Sequence, residues 1–285
     1  MEINVKNLTK KYKEKHALDS ISFSLLEPKI YGLLGRNGAG KTTFMEILAG
    51  HILSTSGEIT IDNENPFDNQ HITESVCLIK EGNNFKKDLS IKNVLRIYSL
   101  FYPTWDQELA DELVEVYELD KKAKVRTLSK GMESALGIIV GLSCKAPITI
   151  FDEPYIGLDA AARRKFYEIL LEEYENEKRT IIFSTHLIDE VSLLFEEVLI
   201  IQDGKLVLRE DADTLRTNTC AITGTVQQVE EFSAGKTVIN KKQLAGMMTA
   251  YVYCNKEEAV NAGLKAEGIP IQELMIHLTE GNKGA

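Results

Sequence analysis

Cysteine is scarce in this chain, and its spacing excludes two kinds of site. The 285 residues include four cysteines, which lie far apart and form no C-x-x-C pair: Cys77, Cys144, Cys220 and Cys254. Structural zinc sites use closely spaced cysteines, and small disulfide-stapled domains are dense in them. We therefore expect neither a zinc site nor a disulfide framework, and we interpret the four residues as buried thiols in a reducing compartment.

Long apolar runs are absent too. No run approaches the roughly 18–20 residues that a membrane-spanning helix needs. The first residues, Met1 to Asn4, lack the layout of a signal peptide. We expect a cytosolic chain whose association with a membrane comes through a partner.

Positive charge is also in deficit, because the formal net charge is −10. A protein whose main surface binds a nucleic-acid backbone carries an excess of lysine and arginine. The balance argues against nucleic acid as the main partner, although it leaves room for a local basic patch. In contrast, 44% of the residues are hydrophobic, which is enough for a packed core in one large or two smaller domains.

A glycine-rich stretch fits the phosphate-loop pattern G-x-x-x-x-G-K-[ST]. It follows the apolar run 30–34 and consists of Gly35, Arg36, Asn37, Gly38, Ala39, Gly40, Lys41 and Thr42. A buried strand that ends in glycines and opens a helix directs backbone N–H groups at one spot, where the helix N-terminus adds positive partial charge. Such a nest binds a polyphosphate: Lys41 would reach the β- and γ-phosphates, the Thr42 hydroxyl would ligate Mg²⁺, and Thr43 extends the nucleotide-binding set. An ordinary glycine-rich turn with a surface lysine fits this strand-and-helix context less well.

Other patterns predict the elements around this loop. Alternating apolar residues predict antiparallel strands near residues 3–5 and 21–25, with a charged turn at 10–16 between them. Strands are predicted at 57–61 and 76–80, and residues 62–74 are predicted to be a connecting loop. An all-helical insert is expected over about 86–145, where Ser90 and Asp106 are candidate N-caps of helices.

The pattern of the second half predicts buried strands up to residue 210 and a separate small domain from residue 216. The predicted elements are strands at 147–151, 179–184, 197–202 and 205–210 and a helix at 160–175, with Asp203-Gly204 as a hairpin turn. Residues 216–285 are predicted to form a small α+β accessory domain that leans on its neighbour or on a second copy. Its predicted strands are 221–226, 236–240 and 248–253, and its predicted helices are 256–266 and 270–278.

A phosphate loop needs carboxylates at the end of a neighbouring parallel strand, because Mg²⁺ and the attacking water must lie beside the γ-phosphate. Asp152 and Glu153 follow the strand predicted at 147–151. Asp152 would hold Mg²⁺, directly or through water, and Glu153 would orient the attacking water or accept its proton. A helix cap is the alternative, which Pro154 and the matching phosphate loop disfavour.

Together these residues resemble the ATP-binding subunit of an ABC transporter, over roughly residues 2 to 215. The segment 128–132, Leu-Ser-Lys-Gly-Met, resembles the signature of that family and lies about twenty residues before Asp152. The resemblance implies an α/β P-loop ATPase cassette over 1–215, with a mixed sheet core, an antiparallel β subdomain and the helical insert. It also assigns roles to further positions: Asp159 in the D-loop, His186 as the switch histidine and Tyr12 as the aromatic that stacks on adenine.

Two departures from the family pattern carry information. Lysine and methionine replace a glycine and the glutamine of the signature, but Ser129 and Gly131 keep the hydroxyl and the helix-start N–H that meet the γ-phosphate. This form is similar to subunits of bacterial drug, bacteriocin and antibiotic-response exporters. Glu81 occupies the position of the family's glutamine, and we hypothesise that it keeps the metal and coupling role with weaker nucleotide affinity or altered pH dependence.

The resemblance implies an ATPase that uses ATP and Mg²⁺, with Lys41, Glu153 and His186 as catalytic residues. The signature of one subunit closes over the ATP of another, so we expect a dimer of this chain with itself or with a related subunit. We expect it to power a separate membrane permease, docked between the Glu81 loop and the helical insert on the inner face of the membrane. The alternatives are a soluble ABC ATPase acting on ribosomes or DNA, against which the single cassette and the lack of basic excess argue, and an ATP sensor with little turnover, against which Glu153 and His186 argue.

Overall fold

The computed structural model describes residues 1–280, so residues 281–285 of the predicted accessory domain lie outside the described residues. The first 218 residues form a nine-stranded, eight-helix segment. In chain order its elements are β1 (Ile3–Tyr12), β2 (Lys15–Leu25), β3 (Ile30–Leu34), α1 (Lys41–Leu48), β4 (Ser56–Ile61), α2 (Gln70–Ser75), β5 (Val76–Ile79), α3 (Ile91–Phe101), α4 (Gln107–Val116), α5 (Lys130–Ser143), β6 (Ile148–Asp152), α6 (Ala160–Asn176), β7 (Thr180–Ser184), α7 (Ile188–Val191), β8 (Glu197–Gln202), β9 (Lys205–Asp211) and α8 (Ala212–Asn218).

A six-stranded sheet forms the centre of this segment, in the order β5-β6-β7-β3-β8-β9. Its strands are parallel except for β9, which returns antiparallel to β8 through the turn at Asp203-Gly204. Strands β3, β6 and β7 are buried along their whole length, as continuous apolar runs predict for a parallel sheet covered on both faces. Alternate residues face two separate cores: Phe183 packs with the helical side, and Ile182 packs with the side of α1.

A second sheet, in the order β2-β1-β4, is antiparallel and packs against α1. Its buried residues alternate along β1 and β2, which confirms the antiparallel strands predicted near the start of the chain. The charged turn predicted at 10–16 was too long, because β1 runs to Tyr12 and β2 starts at Lys15. The loop predicted at 62–74 was wrong at its end, where the Asn69 side chain caps the helix α2.

The helical insert contains α3, α4 and α5. Ser90 and Asp106 accept hydrogen bonds from the backbone N–H groups of Asn93 (3.3 Å) and Leu109 (3.0 Å), which confirms both predicted N-caps. Ser129 caps α5 in the same way. No helix within residues 1–280 combines the length and the apolar character needed to cross a membrane.

The C-terminal part forms a third, antiparallel sheet with its own core. Its elements are β10 (Thr219–Thr225), α9 (Val226–Ser233), β11 (Val238–Leu244), β12 (Met247–Tyr253), α10 (Lys256–Asn261), β13 (Lys265–Gly268) and α11 (Ile271–Glu280), and the strand order is β11-β12-β10-β13. The helix predicted at 256–266 was too long, because the chain turns at Gly263 (φ +77°) and pairs with β10 as an edge strand. Ile271 and Leu274 of α11 join the core of the first segment. The predicted domain boundary at 215 falls inside α8 and stays a prediction.

Candidate active site

The phosphate loop connects β3 to α1, and two of its glycines are dictated by close contacts. Gly35 and Gly40 have φ values of +148° and +113°. A Cβ at either position would lie 2.2 Å from a backbone oxygen, that of Ile201 for Gly35 and that of Ala17 for Gly40. Only glycine fits both the conformation and the space, so the loop is held tightly against β2 and β8.

Lys41 begins α1 and is nearly buried. Its Nζ donates to the backbone oxygens of Gly35 (2.8 Å) and Arg36 (3.3 Å), so the ammonium lies over the loop itself. Burial lowers the pKa of Lys41, and the nearby carboxylates of Glu153 and Asp152 act in the opposite direction. The result is a cation held inside the loop and available to phosphate oxygens.

Thr42 and Asp152 meet across the ends of α1 and β6. The Thr42 hydroxyl donates to Oδ2 of Asp152 at 2.7 Å. Burial raises the pKa of Asp152, while the hydrogen bond from Thr42 and the charge of Lys41 lower it. A hydroxyl and a buried carboxylate are hard oxygen donors of the kind that Mg²⁺ prefers, so this pair fits the metal.

Glu153 lies one residue beyond β6 in a left-handed backbone conformation (φ +52°). Its N–H donates to the backbone oxygen of Ser184 at 3.0 Å, which fixes the residue against the end of β7. Its Oε2 lies 2.7 Å from Nδ1 of His186 and also accepts a hydrogen bond from the Tyr155 hydroxyl at 2.7 Å. The fold thus brings together Glu153 and His186, which the sequence singled out separately, and it adds Tyr155.

The phosphate loop, Asp152 and Glu153 border one cavity of about 400 Å³ at the carboxyl ends of the central strands. The cavity is lined by Tyr12, Lys15, Ala17, Asn37, Gly38, Ala39, Gly40, Lys41, Thr42, Thr43, Glu81, Asp152 and Glu153. Lys15 and Ala17 were missed by the sequence reasoning, because only the pairing of β2 with β1 carries them to the loop. The Tyr12 side chain is 49% exposed at the edge of this cavity.

Six predicted site residues do not line the cavity, namely Gly35, Arg36, Ser129, Gly131, Asp159 and His186. The side chain of Ser129 caps α5, and that of Asp159 caps α6 through the N–H of Ala162 at 2.8 Å. Gly131 packs on Gly157 so closely that a Cβ at position 131 would lie 2.4 Å from the backbone oxygen of Gly157. Gly131 of the signature thus packs on the segment that leads into Asp159, and neither residue lines the cavity beside the phosphate loop.

Glu81 makes a contact that sequence reasoning did not anticipate. Its Oε1 lies 3.2 Å from Nζ of Lys130, with the two side chains 57% and 59% exposed. Two of the three positions that depart from the family pattern, Glu81 and Lys130, therefore form an ion pair within one chain. Glu81 also lines a second cavity beside the first, of about 520 Å³, together with Lys130, Lys87 and Glu133.

Comparison with known proteins identifies the family. The family model described as ABC transporter matches residues 18–156. The ABC transporter ATP-binding protein MJ1023 of Methanocaldococcus jannaschii is 34% identical over 213 residues, which cover 72% of this chain and 76% of that protein. This chain belongs to the ATP-binding proteins of ABC transporters. The resemblance and the fold class predicted from the sequence are thereby confirmed, and the chain is an ATPase that uses ATP and Mg²⁺.

Other members of the family match different lengths of the chain. The bacitracin transport ATP-binding protein BcrA of Bacillus licheniformis is 33% identical over 217 residues, covering 75% of this chain and 71% of that protein. The ABC transporter ATP-binding protein YhcH of Bacillus subtilis is 29% identical over 279 residues, covering 96% of this chain and 88% of that protein. Its match thus includes the C-terminal part. The dimeric structure of the bacterial ABC transporter cassette MJ0796 superposes with a TM-score of 0.65 at 25% identity, covering 74% of this chain and 98% of that one.

Proposed function

We propose that this chain is the ATP-hydrolysing subunit of an exporter, which dimerises on ATP and drives a separate permease from the inner face of the cell membrane. One observation carries the proposal. The phosphate loop, the Thr42–Asp152 pair and Glu153 border a single cavity, while the signature residues Ser129 and Gly131 do not. The cavity contains the phosphate loop, the metal pair and the proposed base that a triphosphate needs for hydrolysis. It lacks the signature residues that would close over the nucleotide.

Within this cavity the backbone of the phosphate loop and Lys41 bind the β- and γ-phosphates, and Tyr12 stacks on adenine. Thr42 and Asp152 hold Mg²⁺, with Glu81 at the edge of the same cavity. When bound, the ion neutralises charge on the phosphates. The buried carboxylate of Asp152 supports this role, because its raised pKa reflects a charge that lacks full compensation from protein groups.

Glu153 orients the water that attacks the γ-phosphate and accepts its proton. The carboxylate is held at the end of β6 by its backbone and by His186, so its direction is set before a nucleotide arrives. In this arrangement His186 acts on the reaction through Glu153. A base fixed in advance lowers the entropy cost of reaching the transition state.

A second subunit supplies Ser129 and Gly131. These residues lie at the start of α5, a helix of 14 residues whose N-terminus carries positive partial charge and backbone N–H groups suited to an anion. The chain contains one phosphate loop and one signature, so two chains related by a twofold axis complete two sites. The dimeric cassette that shares this fold supports the arrangement.

The permease docks in a groove between the Glu81 loop and the helical insert. This insert groove, of about 580 Å³, is lined by the apolar side chains Leu78, Phe85, Leu89, Val94, Ile97, Tyr98, Phe101 and Tyr102 and by polar residues that include Lys80 and Asn83. An apolar groove with a polar rim accepts one face of an amphipathic helix. Lys80 and Asn83 flank Glu81, so an occupant of the groove touches the loop that lines the ATP cavity. The match to the bacitracin transport protein favours an exporter.

The Glu153→Gln variant tests the enzymatic part of the proposal. It should bind ATP, hydrolyse it at least about 100-fold more slowly than the wild type, and form a stable dimer with ATP on size-exclusion chromatography. Turnover at the wild-type rate would show that another group is the base. The transport part is tested by purifying the full chain with the membrane protein encoded beside its gene; co-sedimentation with ribosomes instead would support the soluble alternative.

A further inference from the structure

We propose that Tyr155 is a positioning residue for the hydrolysis of ATP. Its hydroxyl fixes one oxygen of the Glu153 carboxylate and leaves the other oxygen for the attacking water. The inference rests on the proposed role of Glu153 and extends it to a residue that has no place in the phosphate loop, the signature or the metal pair.

A directed chain of hydrogen bonds ends on Glu153. The backbone N–H of Leu187 donates to Oγ1 of Thr185 at 2.8 Å, and the Thr185 hydroxyl is hydrogen-bonded to that of Tyr155. The Tyr155 hydroxyl lies 2.7 Å from Oε2 of Glu153. Because a carboxylate accepts only, Tyr155 donates its proton to Glu153, and its oxygen accepts the proton of Thr185.

The members of this chain cannot reorient easily. Tyr155 and Thr185 are 2% and 1% exposed. The Tyr155 ring stacks on Phe183, with ring centres 6.2 Å apart and planes inclined by 17°. Burial raises the pKa of Tyr155 well above its ordinary value of 10, so its hydroxyl keeps the proton that it donates.

The Tyr155 hydroxyl, which ends the hydrogen-bond chain, and His186 contact the same oxygen of the Glu153 carboxylate. His186 lies 2.7 Å from Oε2, the atom that also accepts from Tyr155. Among the described residues Oε1 accepts no hydrogen bond. Two partners on one oxygen fix the carboxylate at the border of the cavity and leave Oε1 for a water beside the γ-phosphate. The His186 side chain is 59% exposed, whereas Tyr155 is 2% exposed, so Tyr155 provides the contact that is shielded from solvent.

The test compares Tyr155→Phe with a matched control in the full chain. Tyr167 also packs against Phe183, with ring centres 6.3 Å apart, but its buried hydroxyl has no hydrogen-bond partner among the described residues. Tyr155→Phe should lower kcat about 10- to 100-fold, because the base is no longer held in register, and should leave the KM for ATP within about twofold. Tyr167→Phe should keep the wild-type kcat and KM.

A double variant separates positioning from a general structural effect. Since Tyr155 acts through Glu153, adding Tyr155→Phe to Glu153→Gln should cause no further loss of the residual rate. A wild-type kcat in Tyr155→Phe, or an equal loss in both backgrounds, would overturn the proposal. The role of Glu153 itself is judged separately, by the single variant Glu153→Gln.

A second pair of variants applies if Tyr155→Phe does not fold. Thr185→Val removes the hydroxyl that orients Tyr155 and should lower kcat, whereas Thr185→Ser keeps the hydroxyl and should restore it. Equal rates in these two variants would contradict the hydrogen-bond chain.

Discussion

The glutamate at position 81 gives the most specific prediction about nucleotide affinity. Glu81 lines the proposed ATP cavity, and its charge is among the factors that raise the pKa of Asp152. A negative charge there disfavours the triphosphate. We therefore expect Glu81→Gln to bind ATP more tightly in the absence of Mg²⁺.

The size of the effect follows from the exposure of the pair. More than half of each side chain of Glu81 and Lys130 is exposed, so Lys130 compensates the charge of Glu81 only in part and solvent screens both. A unit charge at the edge of such a cavity changes the binding free energy by about 0.5–1 kcal/mol, a two- to fivefold change in Kd. Losing the ion pair itself should cost less than about 1 kcal/mol of folding stability.

Fluorescence titration with a nucleotide analogue in EDTA, repeated at rising salt, measures this change. The difference between Glu81→Gln and the wild type should shrink as salt rises, because exposed charges are screened. Glu133→Gln is the matched control, since Glu133 pairs with Lys87 at 2.9 Å in the adjoining cavity and does not line the ATP cavity. Equal affinities for wild type and Glu81→Gln at low salt, together with equal hydrolysis, would refute the reasoning.

Two further predictions concern the loop and the insert groove. Gly35→Ala should lower the free energy of unfolding by about 1–3 kcal/mol and abolish ATP binding, since its Cβ would lie 2.2 Å from the backbone oxygen of Ile201. Gly38→Ala, which has open space around its Cβ, should lower the free energy of unfolding less. Equal melting temperatures for both variants and the wild type would contradict this prediction. Phe101→Glu, which places a charge in the insert groove, should remove stimulation of the ATPase by the permease and keep the basal rate. Leu100 is 79% exposed and lies outside the groove, so Leu100→Glu should change neither rate. Stimulation retained by Phe101→Glu would place the permease elsewhere.

Local patterns made much of the cassette predictable. The phosphate loop and the Asp152-Glu153 pair follow buried strands whose apolar runs are continuous, so their positions at the strand ends follow from the sequence. The caps at Ser90 and Asp106 depend on side chains that bond to backbone groups three residues away. Such signals act over a few residues and can be recognised without the fold.

One miss is local: the helix α9 was not predicted, although Thr225 and Gln228 form a capping box at its start. The other misses fall where distant parts of the chain meet. The strand β13 is short and polar, and it is a strand only because β10 offers a free edge. The contacts of Tyr155 with Thr185 and of Glu81 with Lys130 join residues 30 and 49 positions apart, and no local pattern predicts them.

The central claim, that each ATP site is shared between two chains, is tested most directly by mixing two inactive variants. Lys41→Ala removes the cation of the phosphate loop. Gly131→Asp places a charged side chain in the signature, where Gly131 packs on Gly157. Each variant alone should be inactive, because both sites of its dimer are defective. A mixture should regain ATPase activity of up to about a quarter of the wild-type rate, because half of the dimers combine one intact loop with one intact signature. A mixture that stays inactive while the mixed dimer forms would contradict the shared site.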